Sequence, residues 1–412
     1  MRVAIVGGGI SGLMAAHLLT RRCDVRVYEA AAPGGHSETV DVEEGDRRIP
    51  VDLGFIVYNE QNYPLFTRLL RELDVATEGS EMSLSVQSPH LDLEWNGSTV
   101  RQAFGQLRNL WRPSHYGMLL DILRFHRRAP RLLAESGGES LGETMAREGF
   151  AAPFLERYLY PMTAAVWSTP PGEMASFPTG TLLRFLDNHG MLQVEGRPPW
   201  RTITGGSRQY VAALLAGLEG RVLRDTPVES VRRFADRVEV RAAGRETEAF
   251  DQVVLALHSD QALILLADPS EQEREILKAL RYRSNDVVFH TDRNLLPQRR
   301  RLWASWNVRV PEDLSSGVRV TYWMNRLQNI VSPKDYCVTL NQRDAIDPST
   351  ILEQRDYSHP QFDRAALAAQ RRWDEISGHH RTHYCGAYWG YGFHEDGVRS
   401  AVRVARRLGV EW

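Results

Sequence analysis

The chain opens on a strand–glycine–helix–strand string, RVAIVGGGISGLMAAHLLTRRCDVRVYEA, that constrains its fold more than any other stretch. Val3 to Val6 reads as a buried strand, and Val25 to Tyr28 as its parallel neighbour. Between them Gly7 permits a tight turn, Gly9 allows close backbone approach to a pyrophosphate, and Gly12 lets the helix pack on the strand. Ser11 lies in the same phosphate-facing turn, where the helix start offers free amides and partial positive charge. Glu29 falls about twenty residues on, where a carboxylate accepts ribose hydroxyls. The unit predicts an adenine dinucleotide site and an α/β fold.

A chain of 412 residues accommodates two or three domains or one composite domain. A formal charge of -2 gives no reason to expect nucleic acid. Lys278 and Lys334 are the only lysines, so any lysine mechanism has two candidates. The cysteines, Cys23, Cys337 and Cys385, have no metal-ligand spacing, and no metal is expected. With no evident signal peptide and no apolar run of about 18 residues, the expected location is cytoplasmic.

Gly34 and Gly35 form a second glycine turn, and Thr39 to Val42 reads as a strand. Asn62 to Leu73 has helical spacing of Phe66, Leu69, Leu70 and Leu73. Met82 to Gln87 and Leu91 to Trp95 read as a strand pair, and Tyr116 to Leu133 as a long helix. Prolines then divide a mostly helical stretch. Four short strands are expected between Arg221 and Leu257, after a helix from Arg208 to Leu218. A strand-rich region spans Asp286 to Leu340, and a final helix is expected from Gly397 to Leu408. The expected architecture is a Rossmann-like domain (1–78, 196–270, 375–412) with a discontinuous sheet-plus-helix substrate domain (79–195, 271–374).

Together these pieces resemble the flavin-containing amine oxidase and phytoene desaturase superfamily, whose opening unit binds FAD. The resemblance rests on Glu29-Ala30 followed by Gly34-Gly35, on Asp52-Leu53-Gly54, on the strand at Pro227-Val228, and on GYGFHEDGVRSAVRVA near the end. It implies cofactor contact by Gly7, Gly9, Ser11, Gly12, Glu29, Ala30, Gly34, Gly35, His36, Gly54, Phe55, Ile56, Val228 and Gly386. Glu395, Asp396, Gly397 and Val398 are implied to line the flavin at a helix start, whose amides suit an anionic reduced flavin. The strings GFIVYNEQNYP, FPTGTLLRFLDNHGML, WRTITGGSRQYV, TYWMNRLQ and CGAYWGYGFHEDG are similar to a bacterial subgroup of predicted NAD/FAD-binding proteins associated with cyclopropane-fatty-acid synthase-like methyltransferases. Three features depart from amine oxidases. His36-Ser37 replaces an arginine after the Gly-Gly pair, Ala387 follows Gly386 in place of an acid, and the strand around Arg283 to His290 lacks lysine.

The implied chemistry is hydride transfer to FAD, in which the cofactor carries the hard step. His394 and Glu395 are the candidate catalytic residues, by proton transfer, with helix capping or cofactor contact as the rival role. Asn59, Tyr388, Trp389, Tyr391 and Phe393 are the substrate-side candidates, as a tunnel wall or aromatic cage. The leading expectation is dehydrogenation of an apolar, fatty-acyl or phospholipid substrate, with oxygen, a quinone or another carrier reoxidising the flavin. The alternatives are an amine oxidase, a redox-neutral fatty-acid double-bond isomerase, and a non-catalytic flavin-binding partner of a lipid methyltransferase. Residues 101–133 carry seven arginines (101, 108, 112, 124, 127, 128, 131) against one acid, Asp121, interleaved with Trp111, Met118, Leu120 and Phe125. Such a basic amphipathic segment suits peripheral docking on an anionic membrane, or an ordinary surface helix.

Overall fold

A computed structural model describes residues 1–167, 170–192, 198–313 and 319–412. The expected domain boundary at 195/196 lies outside the described residues. The opening string folds as anticipated into strand Arg2–Val6, helix Ile10–Leu19 and strand Asp24–Tyr28. Its strands sit inside a five-stranded parallel sheet, in the order Val222–Leu223, Asp24–Tyr28, Arg2–Val6, Gln252–Leu255, Thr382–Tyr384. A parallel sheet is covered on both faces, which is why its central strands, Arg2–Val6 and Gln252–Leu255, are apolar after their first residue. One face packs against helices Ile10–Leu19, Arg208–Ala216 and the C-terminal helix His394–Arg407. The other packs against the three-stranded meander of residues 228–250 and helix Glu271–Ala279.

The second sheet has seven strands, in the order Ile351–Pro360, Tyr282–His290, Cys337–Leu340, Arg319–Trp323, Trp306–Arg309, Leu84–Ser88, Leu93–Asn96. An apolar cluster joins its last strands to the helices of residues 113–188. The hairpin Thr39–Glu44/Arg47–Asp52 and the small sheet of Val57–Asn59, Trp200–Ile203 and Thr77–Ser80 connect the two regions.

Several local expectations shift. Five strands, not four, occupy residues 222–255, because Glu248–Phe250 forms its own edge of the meander. The C-terminal helix begins at His394 rather than Gly397. The Phe393 carbonyl already accepts the Asp396 and Gly397 amides, and the Asp396 carboxylate closes the turn on the Phe393 amide at 3.1 Å. The ten-residue strand Ile351–Pro360 was not anticipated. Its polar sequence fits a sheet edge, where a terminal proline is tolerated.

Candidate active site

The first glycine turn is built by steric exclusion. Gly7 has φ +105, and any side chain there would run into the Ala256 carbonyl. A Cβ on Gly12 would overlap the Gly7 carbonyl oxygen. Gly9 differs: a Cβ there would meet nothing within 4 Å. Its backbone therefore faces open space at the start of helix Ile10–Leu19, as a phosphate cradle requires. Glu29 holds the turn from below, accepting the Gly8 amide at 2.6 Å and the Ala31 amide at 3.0 Å. The Glu29 carbonyl accepts the Thr226 amide at 2.8 Å, which brings the Pro227–Val228 strand start beside this acid. Ala30 is exposed in the same turn.

The Gly34–Gly35 turn folds back onto this cradle. The Gly34 amide donates to the Gly8 carbonyl at 2.9 Å, and Gly35, at φ +57, lies against the Gly9 Cα. The next residue, His36, has a buried Nε2 with no hydrogen-bond partner among the described residues. Its carbonyl accepts the Phe55 amide at 2.8 Å and blocks any side chain at Gly54. His36 thus connects the dinucleotide cradle to the Gly54–Phe55–Ile56 segment. Below that segment Asp52 is fully buried, taking the Ser207 amide, Ser207 Oγ and Gln328 Nε2 at 2.8–2.9 Å, with Thr39 Oγ1 at 2.5 Å. Burial outweighs these donors and raises its carboxyl to about 6.

Sequence reasoning overlooked two further histidines here. His359, on the unanticipated edge strand, and His258, just after Gln252–Leu255, have ring centroids 5.6 and 6.4 Å from His36. Tyr357 lies closer still, at 4.8 Å. Asn285 is buried, opposite Tyr357 in the register and diagonal to His359, with its Nδ2 3.1 Å from His359 Nδ1. Burial, reinforced by the neighbouring imidazoles, lowers His36 to about 3 and His359 to about 4, so both are neutral near pH 7.

The C-terminal helix meets the first helix at its start, where a Cβ on Gly397 would press on Ser11 Oγ and Ile10. Val398 is buried in the same contact, and the Gly386 amide donates to Ser400 Oγ at 2.9 Å. The Glu395 carboxylate accepts the amides of Leu65 and Phe66, capping helix Pro64–Glu72. The Asp396 carboxylate takes the Tyr391 and Phe393 amides. Both acids thus cap backbone amides, and Arg399 pairs with each, donating to Asp396 Oδ1 at 3.2 Å. His394 stacks on Phe55 at 3.6 Å, with Nε2 2.9 Å from Ser37 Oγ and 3.1 Å from Tyr210 OH. Burial, then the nearby His36, lowers it to about 3. A ring so held is neutral and fixed, which suits positioning of Phe55 better than proton exchange near neutral pH.

The aromatic candidates separate into two groups. Tyr388 and Trp389 pack with the core of the parallel-sheet region. Tyr391 packs with the helical cluster, and Phe393 lies between the two, packing against the parallel-sheet core as well and stacking on Phe185 at 5.2 Å. Asn59 is buried. Its Oδ1 accepts the Asn62 amide at 2.9 Å, and its Nδ2 has no partner among the described residues. Trp306 and Tyr322, edge-on at 5.0 Å, bridge the helical cluster to the one containing Ile56. They extend the apolar wall beyond the residues singled out in the sequence.

These features fit FAD: an open backbone at Gly9, an acid beside the adenosine end, and an orphaned buried imidazole nitrogen at His36. When bound, FAD supplies a hydride acceptor. The Gly9–Gly12 turn and Glu29 would hold its dinucleotide portion, and His36 and the Gly54–Ile56 backbone its flavin end.

Comparison with known proteins gives the fold and the family. Three solved structures share the fold along essentially the whole chain. A mutant of putrescine oxidase made for redesign of cofactor binding has TM-score 0.72 and 16% identity, covering 99% of both chains. The CLA-producing fatty acid isomerase from P. acnes has TM-score 0.69 and 16% identity, covering 98% of both. Cyclohexylamine oxidase from Brevibacterium oxydans has TM-score 0.68 and 14% identity, covering 99% of both. The model of the flavin-containing amine oxidoreductase family matches residues 10–302, most of the chain, so this protein belongs to that family of FAD-dependent oxidoreductases.

Proposed function

We propose that this FAD-dependent oxidoreductase dehydrogenates an uncharged, apolar substrate of the fatty-acyl class. The supporting observation is the wall beside Gly54–Ile56. Trp306 and Tyr322 join Ile56 to the cluster of Tyr391, Phe393 and Phe185. The imidazoles of His36, His359 and His394, and of His189 at 3.9 Å from Phe185, are kept neutral by burial. An apolar chain gains by leaving water for such a wall, whereas an ammonium would lose its hydration. In this reading the wall orients the chain and excludes water, while Asn285 occupies the strand where the family's lysine is missing, with His359 on the strand beside it. FAD would supply the acceptor for a substrate hydride, and the accompanying proton would pass to solvent, since imidazoles held at about 3 to 4 are poor bases near pH 7.

The test is product analysis. FAD-loaded protein is incubated aerobically with phospholipids and free fatty acids, and in parallel with alkyl amines. The reading expects acyl products lighter by two hydrogens. Aldehydes from the amines with no acyl product would overturn it. An acyl product of unchanged mass with a shifted double bond would replace dehydrogenation by isomerisation at the same site.

A further inference from the structure

Apolar side chains are unusually exposed in one part of the surface. Val100 is 79% exposed, Leu107 75%, Trp111 87% and Leu120 66%, with Leu110 and Tyr116 exposed beside them. Elsewhere the large exposed apolar residues, such as Ile264 and Val331, are far apart in sequence and belong to different elements. The local fold brings this group together. Tyr116 OH donates to the Leu110 carbonyl at 3.0 Å, and the Phe104 and Tyr116 rings lie 5.2 Å apart. Helix Pro113–Glu135 buries His115, Met118, Phe125, Ala129 and Leu132 against its own domain. Its opposite stripe, Tyr116, Leu120, Leu123, Arg127 and Arg131, faces outward, apolar at the start and basic toward the end.

The charges divide in an informative way. Arg124 donates to the Gly149 carbonyl and lies over the Phe150 ring, and Arg128 pairs with Glu148. These two, prominent in the sequence pattern, are engaged within the protein. Among the described residues Arg101, Arg112 and Arg127 have no carboxylate partner in an ion pair. Arg112 holds the Leu91 and Asp92 carbonyls instead. Three acids on this side are already matched: Asp92 by Arg108, Asp121 by Arg124, and Glu135 by Arg131. The apolar patch is therefore rimmed by unmatched positive charge.

We propose that the surface of residues 100–131 docks the protein on an anionic phospholipid bilayer. Trp111, Leu107 and Leu120 enter the interfacial layer, and Arg101 and Arg127 meet lipid phosphates. The charge pattern selects this occupant, because a second copy of the same basic face would repel. The surface is one helix removed from the apolar wall: helix Pro113–Glu135 packs on Thr179–Asn188, whose Phe185 stacks on Phe393. The proposal does not depend on the acyl substrate, since its test reads binding rather than turnover.

The experiment is co-sedimentation of FAD-loaded protein with phosphatidylcholine vesicles, with and without phosphatidylglycerol. Wild type is expected to pellet with the phosphatidylglycerol vesicles and to be released by high salt. The double variants Trp111→Glu/Leu120→Glu and Arg101→Glu/Arg127→Glu should each bind at least about tenfold more weakly. Both should keep the wild-type flavin spectrum and melting temperature, because all four side chains are exposed. Wild type remaining in the supernatant with both vesicles would overturn the proposal, as would equal pelleting by the variants. A wild-type dimer that Trp111→Glu/Leu120→Glu converts to monomer would overturn it too, by assigning the face to a second copy.

Discussion

Glu395 caps a helix that lies far earlier in the chain, its carboxylate accepting the Phe66 amide at 3.0 Å and the Leu65 amide at 3.3 Å. The contact fixes helix Pro64–Glu72 against the start of the C-terminal helix. It thereby sets Phe66 edge-on to Phe55 at 5.2 Å, beside the His394 stack. Glu395→Ala should lower unfolding free energy by about 1–2 kcal/mol, with Glu395→Gln recovering part of the loss. Thermal unfolding of both variants checks this. An unchanged Glu395→Ala midpoint would mean that the cap contributes nothing.

Gly9 and Gly12 of the first turn should fail in different ways. Gly12→Ala places a methyl group against the Gly7 carbonyl oxygen, so both folding and FAD binding should suffer. Gly9→Ala meets no protein atom within 4 Å and should fold like wild type while binding FAD at least about tenfold more weakly. Melting curves without FAD, paired with FAD titration, separate these outcomes.

Asp52 and Asp396 should shape the pH dependence of stability. Burial raises each from 3.8 to about 6. Since the folded value exceeds the unfolded one, each contribution is complete below about pH 4 and lost as pH rises through about 6, at most about 3 kcal/mol per group. Asp52→Asn should remove roughly half of that decline. Denaturant unfolding across this range would contradict the account if the variant's slope equalled the wild-type slope.

Arg233 is nearly fully buried and binds both oxygens of Glu273, which also accepts Tyr384 OH at 2.6 Å. The network ties the three-stranded meander to the parallel sheet. Burial pushes the Glu273 carboxyl up, but the Arg233 and Tyr384 hydrogen bonds outweigh it and leave it below its ordinary value. Arg233→Met strands this carboxylate and should cost about 3–5 kcal/mol at neutral pH. The deficit should shrink as pH falls and Glu273 takes up a proton in the variant, which chemical denaturation at two pH values can measure.

The dinucleotide cradle was legible because glycine spacing is local: Gly7 and Gly12 answer to steric necessity within the turn, and Gly9 leaves its backbone open at the helix start. The flavin end was less so. His258 and His359 stand more than a hundred residues apart and meet only through the packing of the two sheets. The Ile351–Pro360 strand that carries His359 is an edge whose polar sequence lacks the apolar alternation of a covered strand. Tyr388, Trp389, Tyr391 and Phe393 looked like one aromatic set, but the Gly390 and Gly392 turns divide them between two cores, with Phe393 packing against both. Arginine count alone did not distinguish Arg127, free of carboxylates, from Arg124 and Arg128, which are bound within the protein.

The central claim is that the cofactor held at Gly9 and His36 is reduced by an uncharged apolar chain. Anaerobic titration of the FAD-loaded protein with a fatty acid, a phospholipid and an alkyl amine, followed by the visible flavin absorbance, tests it most directly. Bleaching by an acyl substrate and not by the amine is the predicted result; bleaching by the amine alone would contradict it.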